Sequence, residues 1–260
     1  MVALRKIAID ISEQFTHLEK APIVEAVIGI TAPVTSSWEE HSARAAIEPT
    51  LNGYRYLDSQ KEFEHQVTIS KGDNPSLLLR NLGWKGVRFK SNDERHIVDF
   101  NRTGYSFSRL EPYINWEQLE GEALRHWPLF RSVGKPDSIT RVGVRFINRI
   151  VLPVSDSNLA NYVTGSPSPP NDLALSFQGF FHHDVLDVPG HPYGINMIRT
   201  IQPPTGNTFG PNIILDIDVF TIQNHIVDET TLSSTLREMK WLKNKAFFGS
   251  VKEAALELFQ

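Results

Sequence analysis

Hydrophobic positions along the chain follow two rhythms. In the first, apolar and polar residues alternate over short runs, as in a strand with one buried face. Residues 21–34 (APIVEAVIGITAPV) and 142–154 (VGVRFINRIVLPV) are the clearest cases. Both are rich in β-branched residues, and both close on a proline, which cannot donate to a sheet ladder. Further strands are predicted at 64–70, 86–90, 95–110, 175–182, 194–201 and 212–221. The 95–110 run is either one long strand or a hairpin turning at Asn101–Gly104. Ile7, Ile9 and Ile11 alternate with Ala8 and Asp10, again a strand pattern and not a signal peptide.

The second rhythm is helical. Trp116, Leu119, Ala123 and Trp127 share one face, behind an Asn115 cap with Gln118 three residues on. Pro128 is expected to end or kink this helix. An earlier helix is predicted from about Trp38 to Leu51, capped by Ser36 or Ser37 with Glu39 or Glu40 at the box position. A shorter one falls within Ser155–Val163 and runs into a Pro/Ser-rich loop at 165–171. A helix starting near Thr230 or Thr231 carries Leu232, Leu236 and Met239. Ser250 with Glu253 is expected to cap a last segment striped by Val251, Ala254, Ala255, Leu258 and Phe259.

The order is strand, helix, three or four strands, helix, twice over, with matching elements roughly 110–120 residues apart. The fold class expected is α+β: two similar β-α-β(3-4)-α halves sharing a curved antiparallel sheet, with a C-terminal helix. Residues 1–17 form an N-terminal extension, 18–135 the first half and 136–260 the second. This order resembles the helix-grip arrangement of the TATA-binding-protein type. It overlaps the ferredoxin-like βαββαβ order if one strand is misassigned.

Composition narrows the chemistry. The 260 residues are 40% hydrophobic and 22% charged, enough for a core of normal size. There is no cysteine, which excludes disulfides, thiolate metal sites and cysteine nucleophiles and fits a reducing, cytoplasmic setting. The formal net charge of −4 lacks the basic surplus of a duplex-binding protein. The longest apolar runs are strand-sized, short of the roughly 20 residues a membrane helix needs.

Among candidate site residues, Arg141, Arg145 and Arg149 fall on one face of their strand, opposite Val142, Val144, Phe146 and Ile150. Such a row can grip phosphates or carboxylates, or be neutralised by strand carboxylates such as Glu25, Asp99, Asp216 and Asp218. Pairing of the two halves' first strands would place Glu25 beside the row. Asp216 and Asp218 share a face, and ionic partnering with an arginine such as Arg199 is the favoured reading over acid–base work. Arg109 joins Glu25 and the arginine row as a ligand- or partner-binding candidate. Trp84, Lys85, Arg88 and Lys90 are the best nucleic-acid candidate, with decoration of an exposed edge strand as the alternative. His182, His183, Asp184, Asp187 and His191 have metal-ligand types but no ligand spacing, and read as a loop. Glu117, Glu120 and Glu122 read as a solvated helix face. Trp241, Phe247 and Phe248 amid Lys240, Lys243 and Lys245 read as the anchor of the last helix, with a partner surface as the alternative. No nucleophile elbow, Walker A or Gly-x-Gly-x-x-Gly motif occurs. No catalytic residue, metal or cofactor is therefore assigned.

Three segments carry a resemblance: Ala21–Ala26 (APIVEA), Gly104–Tyr113 (GYSFSRLEPY) and Arg141–Ile150 (RVGVRFINRI). They resemble an uncharacterised, sporadically distributed bacterial family of about this length, over nearly the whole chain from Leu18. The resemblance implies a bacterial source and a mobile or defence-linked locus, and carries no activity. The function expected is a non-catalytic interaction or accessory module whose partner is a protein encoded nearby, with self-association as a weaker expectation. The alternatives are a ligand- or nucleic-acid-binding protein using the arginine row, or an enzyme of unfamiliar type.

Overall fold

A computed structural model describes residues 6–68, 76–154, 158–167, 179–202, 210–222 and 229–260. The fold is α+β, with one nine-stranded antiparallel sheet in the order β2-β3-β4-β5-β1-β6-β9-β8-β7. The strands are β1 (Ile23–Thr31), β2 (Tyr54–Thr68), β3 (Ser76–Ser91), β4 (His96–Asn101), β5 (Gly104–Leu110), β6 (Arg141–Val151), β7 (Phe181–Asp187), β8 (Tyr193–Gln202) and β9 (Asn212–Thr221). The helices are α1 (Glu40–Ile47), α2 (Trp116–Gly134), α3 (Leu159–Tyr162), α4 (Glu229–Ser250) and α5 (Glu253–Leu256).

Period-two alternation decides which face is covered. Ala26, Ile28 and Ile30 of β1, Val142, Val144, Phe146 and Ile150 of β6, and Ile213, Leu215, Ile217 and Val219 of β9 are all buried. They sit under α2 and α4, which bring Leu119, Ala123 and Phe130, and Leu232, Leu236 and Met239. Tyr105 on β5 ties sheet to helix, its hydroxyl donating to Ala123 O at 2.9 Å. The other face is polar and half-exposed. At the centre β1 pairs β6, Ile28 opposite Val144 and Val27 opposite Arg145. A bulge in β1 between Ile23 and Glu25 shifts the register where Asn148 enters the buried side. Gly104 opens β5 so close to β1 that a Cβ would stand 2.2 Å from Ile30 O.

The hairpin at Asn101–Gly104 is formed, and so is the Asn115 cap, whose side chain accepts from Gln118 N at 2.8 Å. Other elements differ from expectation. The α2 helix runs through Pro128 to Gly134, because Trp127 and Phe130 on either side are clamped in the core. The α1 helix is shorter than 38–51 and has Glu39 at its N-cap; Ser36 turns instead to the end of α2, donating to Val133 O. The Ser250–Glu253 box is absent, since Ser250 Oγ donates back to Ala246 O and Lys252 holds the N-cap of α5. Residues 86–90 belong to a longer β3 flanked by β2 and β4, so they are not on an edge. The first part of the predicted 175–182 strand lies outside the described residues. Its end begins β7, an edge strand that takes in His182, His183 and Asp184; the turn comes only at Val188–Pro192.

Ile7, Ile9 and Ile11 form no strand. Their segment is an arm that crosses the helix side and finds its hydrogen bonds in loops. Ile7 N donates to Pro189 O, and Lys20 N donates to Phe259 O.

Helix α2 also buries a histidine that the alternation does not flag. His126 lies edge-on to Tyr54 at 5.1 Å and stacks on Phe107 at 6.2 Å. Burial, aided by the Arg125 charge, pulls its pKa down to about 4. The folded state therefore resists a proton that the unfolded chain accepts near pH 6.5. Stability from this residue is complete above pH 6.5 and is lost as pH falls towards 4, a change of the order of 3 kcal/mol. Urea titrations from pH 7 to 4 should show this loss, and His126→Gln should flatten it.

Candidate ligand cavity

The arginine row exists as drawn from alternation, and each member is occupied. Arg145 grips Asp216 with two nitrogens, at 2.9 and 2.6 Å. Arg141 reaches Asp218 at 3.0 Å, and Arg149 reaches Glu111 at 2.9 Å. Glu25 stands on the neighbouring strand, opposite Ile147, and its charge is felt by Arg145. Asp216 and Asp218 thus serve the β6 arginines and not Arg199. That residue points to the helix side and donates to Asp184 at 2.7 Å and Thr164 O at 2.9 Å. Arg109 is also committed, donating to Pro112 O with Nε and Nη2 and holding the turn before α2.

The basic stretch on β3 is similarly engaged. Arg88 forms a two-pronged pair with Asp58, and Lys90 lies 3.5 Å from Glu94. Trp84 stacks on Trp38 at 5.6 Å and donates to Ser59 Oγ, while Lys85 lends its carbonyl to Trp38 Nε1. The ring is thus used within the fold. On β7, His182 and Asp184 face each other at 3.1 Å, and among the described residues no group of three His, Asp or Glu is placed to hold a metal.

A large concavity lies on the helix side. A cavity of about 670 Å³ opens between the N-terminal arm, the start of α2 and the second half of α4. Asn148 of β6 and Ile23 of β1 line it from the sheet, beside the β1 bulge. Bulges re-aim side chains, and here one accompanies a polar Asn148 on the core side of β6. Its amide nitrogen donates to Leu215 O at 2.9 Å. Tyr113, Trp116 and Trp241 wall the space with aromatic faces. The arm closes one side. Glu13 accepts from Trp241 Nε1 at 2.8 Å and from Lys245 Nζ at 2.5 Å, and Phe15 stacks on Phe248 at 5.4 Å.

Most charges around the cavity have partners. Lys240 pairs with Glu117 at 3.1 Å. Glu120 accepts from Trp116 Nε1 at 2.7 Å and Ser233 Oγ at 3.2 Å, so it ties α2 to α4 and is not the solvated residue the pattern suggests. Lys243 differs. Its ammonium nitrogen lies 4.0 Å from the centre of the Phe146 ring, and among the described residues no carboxylate or carbonyl meets it. The side chain is packed round by protein yet keeps surface on the cavity. Burial, with Lys240 nearby, pulls its pKa down to about 7. A face-on aromatic ring offsets only part of the lost hydration of a cation.

In the sequence this segment reads as the anchor of the last helix. One signal was present: the stripe Leu232, Leu236, Met239 continues at helical spacing to position 243, where a lysine stands in an apolar place. The arm and the β1 bulge had no such signal. Compared with protein families, curated proteins and solved structures, the chain matches none.

Two outcomes are expected. Arg145→Met strands Asp216, whose side chain is 9% exposed, and should cost about 1–3 kcal/mol; Arg149→Met, partnered by a 57% exposed Glu111, should cost under about 1. Denaturant unfolding at pH 7 checks the order. Lys243→Met should stabilise the protein, raising the melting temperature by roughly 5–10 °C at pH 6. Below pH 7 both folded and unfolded chains hold the proton, so the full burial cost is present. Between about pH 7 and 10.5 the folded amine has lost its proton and the gain from the substitution shrinks.

Proposed function

We propose that this protein binds a small organic anion with an apolar or aromatic body in the cavity beside α4. The observation that carries the reading is Lys243, a lysine that lines the cavity, lies over an aromatic ring and has no carboxylate partner among the described residues. Arg237, from the same helix, also lines the space and has no carboxylate partner among the described residues. Lys243 over the Phe146 ring, with the exposed Arg237 at the cavity wall, favours a ligand that brings negative charge and covers the aromatic lining. The stability forgone at Lys243 is intelligible if its role is towards a ligand and not towards the fold.

A second reading rests on a different surface. Strand β7 is an edge whose Phe181 and Val185 are 70% and 67% exposed, which suits pairing with a strand of another chain. An accessory module that binds a neighbouring gene's product fits that edge. A bacterial source and a mobile or defence-linked locus rest on the resemblance of the three segments quoted above. Nucleic-acid binding through Trp84, Lys85, Arg88 and Lys90 is the weakest reading, given the partners that Trp84, Arg88 and Lys90 already have.

We also infer that the two halves are copies of one unit. Outward from the centre the orders run β1-β5-β4-β3-β2 and β6-β9-β8-β7, so each half places its first strand innermost and its last strand next. This supports the helix-grip likeness to the TATA-binding-protein arrangement. Among the described residues no helix is long and apolar enough to cross a membrane.

Calorimetric titration with 3-phenylpropionate at pH 7 tests the cavity reading. One saturable site per chain is expected, weakened at least about tenfold by Lys243→Met, as for loss of one charge-assisted contact. Absence of a saturable site, or affinity untouched by Lys243→Met, overturns it.

A further inference from the structure

The lysines of α4 divide by partner. Lys240 and Lys245 each meet a carboxylate, Glu117 at 3.1 Å and Glu13 at 2.5 Å. Among the described residues, Lys243, between them, meets the face of Phe146 and no carboxylate. A carboxylate beside an amine keeps it protonated and removes its lone pair from chemistry. An amine in an apolar, cation-bearing surround is freed for attack on carbonyl carbon. The cavity also gives such an attack what it needs. It has room for an organic molecule and a cationic side chain, Arg237, at its wall.

We propose that Lys243 condenses reversibly with the keto group of a 2-oxo acid bearing an apolar body, forming an imine inside the cavity. The proposal rests on the binding reading above and adds covalent capture to it. Arg237 supplies the charge that faces the acid's carboxylate. The Nζ lone pair attacks C2, and a proton passes from nitrogen to the new oxyanion, giving a carbinolamine. That hydroxyl takes a proton from solvent and leaves as water while the nitrogen lone pair closes the C=N bond, and the N–H proton of the resulting iminium returns to solvent. Amine and ketone become imine and water, with no change of oxidation level and no further reactant. Hydrolysis is the same path reversed, with water entering from the open side of the cavity.

The charged groups around Lys243 are consistent with this. On the arm, Glu13 is held by Trp241 and Lys245, and His17 is exposed. On α2, Glu117 is held by Lys240, and Glu120 by Trp116 and Ser233. On α4, Arg237 and Lys240 add positive charge. None of the carboxylates makes a hydrogen bond or ion pair with the Lys243 amine. Its pKa near 7 leaves a large share of free amine at neutral pH.

Phenylpyruvate and 3-phenylpropionate make a matched pair of probes, since only the first has the keto group. The protein is incubated with phenylpyruvate and cyanoborohydride at pH 7, which reduces any imine to a stable secondary amine. Intact mass and peptide mapping then locate the adduct. The expected result is one adduct per chain at Lys243, formed at least tenfold faster than at any other lysine and suppressed by excess 3-phenylpropionate. Lys243→Arg should abolish it. No adduct, adducts spread over surface lysines, or equal labelling of Lys243→Arg overturns the proposal. If that variant does not fold, the map of the unsubstituted protein decides alone. Saturable 3-phenylpropionate binding without an adduct rejects the imine and leaves the binding reading standing; loss of both rejects both.

Discussion

The pairing of β1 with β6 holds the molecule together. Each strand is the innermost of its half, and among the described residues no other strand pair joins the two flanks of the sheet. Their registers place Ala26, Ile28 and Ile30 next to Phe146, Val144 and Val142, all fully buried. A slip of one residue would send that row outward and drive Arg141, Arg145 and Arg149 under the helices. On the far side, the Arg141–Asp218 and Arg145–Asp216 pairs set the register of β6 against β9 in the same way. Apolar burial on one face and ion pairing on the other therefore specify a single alignment.

That alignment also shapes the cavity. Where β1 bulges, Asn148 enters a face that is otherwise apolar, and the helices above do not close down fully. The arm and α4 close in on the gap and leave the space that Asn148 and Trp116 line. Lys243 sits where the helix stripe calls for a leucine or methionine. A polar group at such a place lowers stability unless it is matched, and Lys243 is matched only by a ring. Local disagreement of this kind, in a chain whose other levels agree, marks places kept for something other than folding.

Much of the fold was legible because it depends on short-range rules. Alternation found β1, β6, β8 and β9 within a few residues, and helical spacing found the buried face of α2. Ion pairing of the β6 arginines followed from side-chain parity, although the choice of partner did not: Asp216 and Asp218 are brought to Arg145 and Arg141 by strand order, which no local pattern encodes. The same limit hid the candidate site. The cavity is bounded by residues near positions 15, 23, 115, 148 and 243, and only tertiary packing brings these together. Pro128 misled because propensity was read without the packing of Trp127 and Phe130 that overrides it. The alternation of Ile7, Ile9 and Ile11 misled because it reports apolar contact on one side, and a loop lying on helices provides that as well as a sheet does.

The arm's anchors have a bearing on how the protein is made. Glu13 waits for Trp241 and Lys245, which follow it by 228 and 232 residues, and Lys20 waits for Gln260. Synthesis delivers the sheet's first half early, and that half can begin to pair and collapse by itself. The chamber has no such early form, since its lid leaves the ribosome well before the helix it closes on, 228 residues separating Glu13 from Trp241. Assembly of the site therefore reports that translation has reached α4. A chain stalled before that point would carry a sheet with an unclosed flank and no place for a ligand, giving a cell's proteases a physical basis for telling unfinished molecules from finished ones.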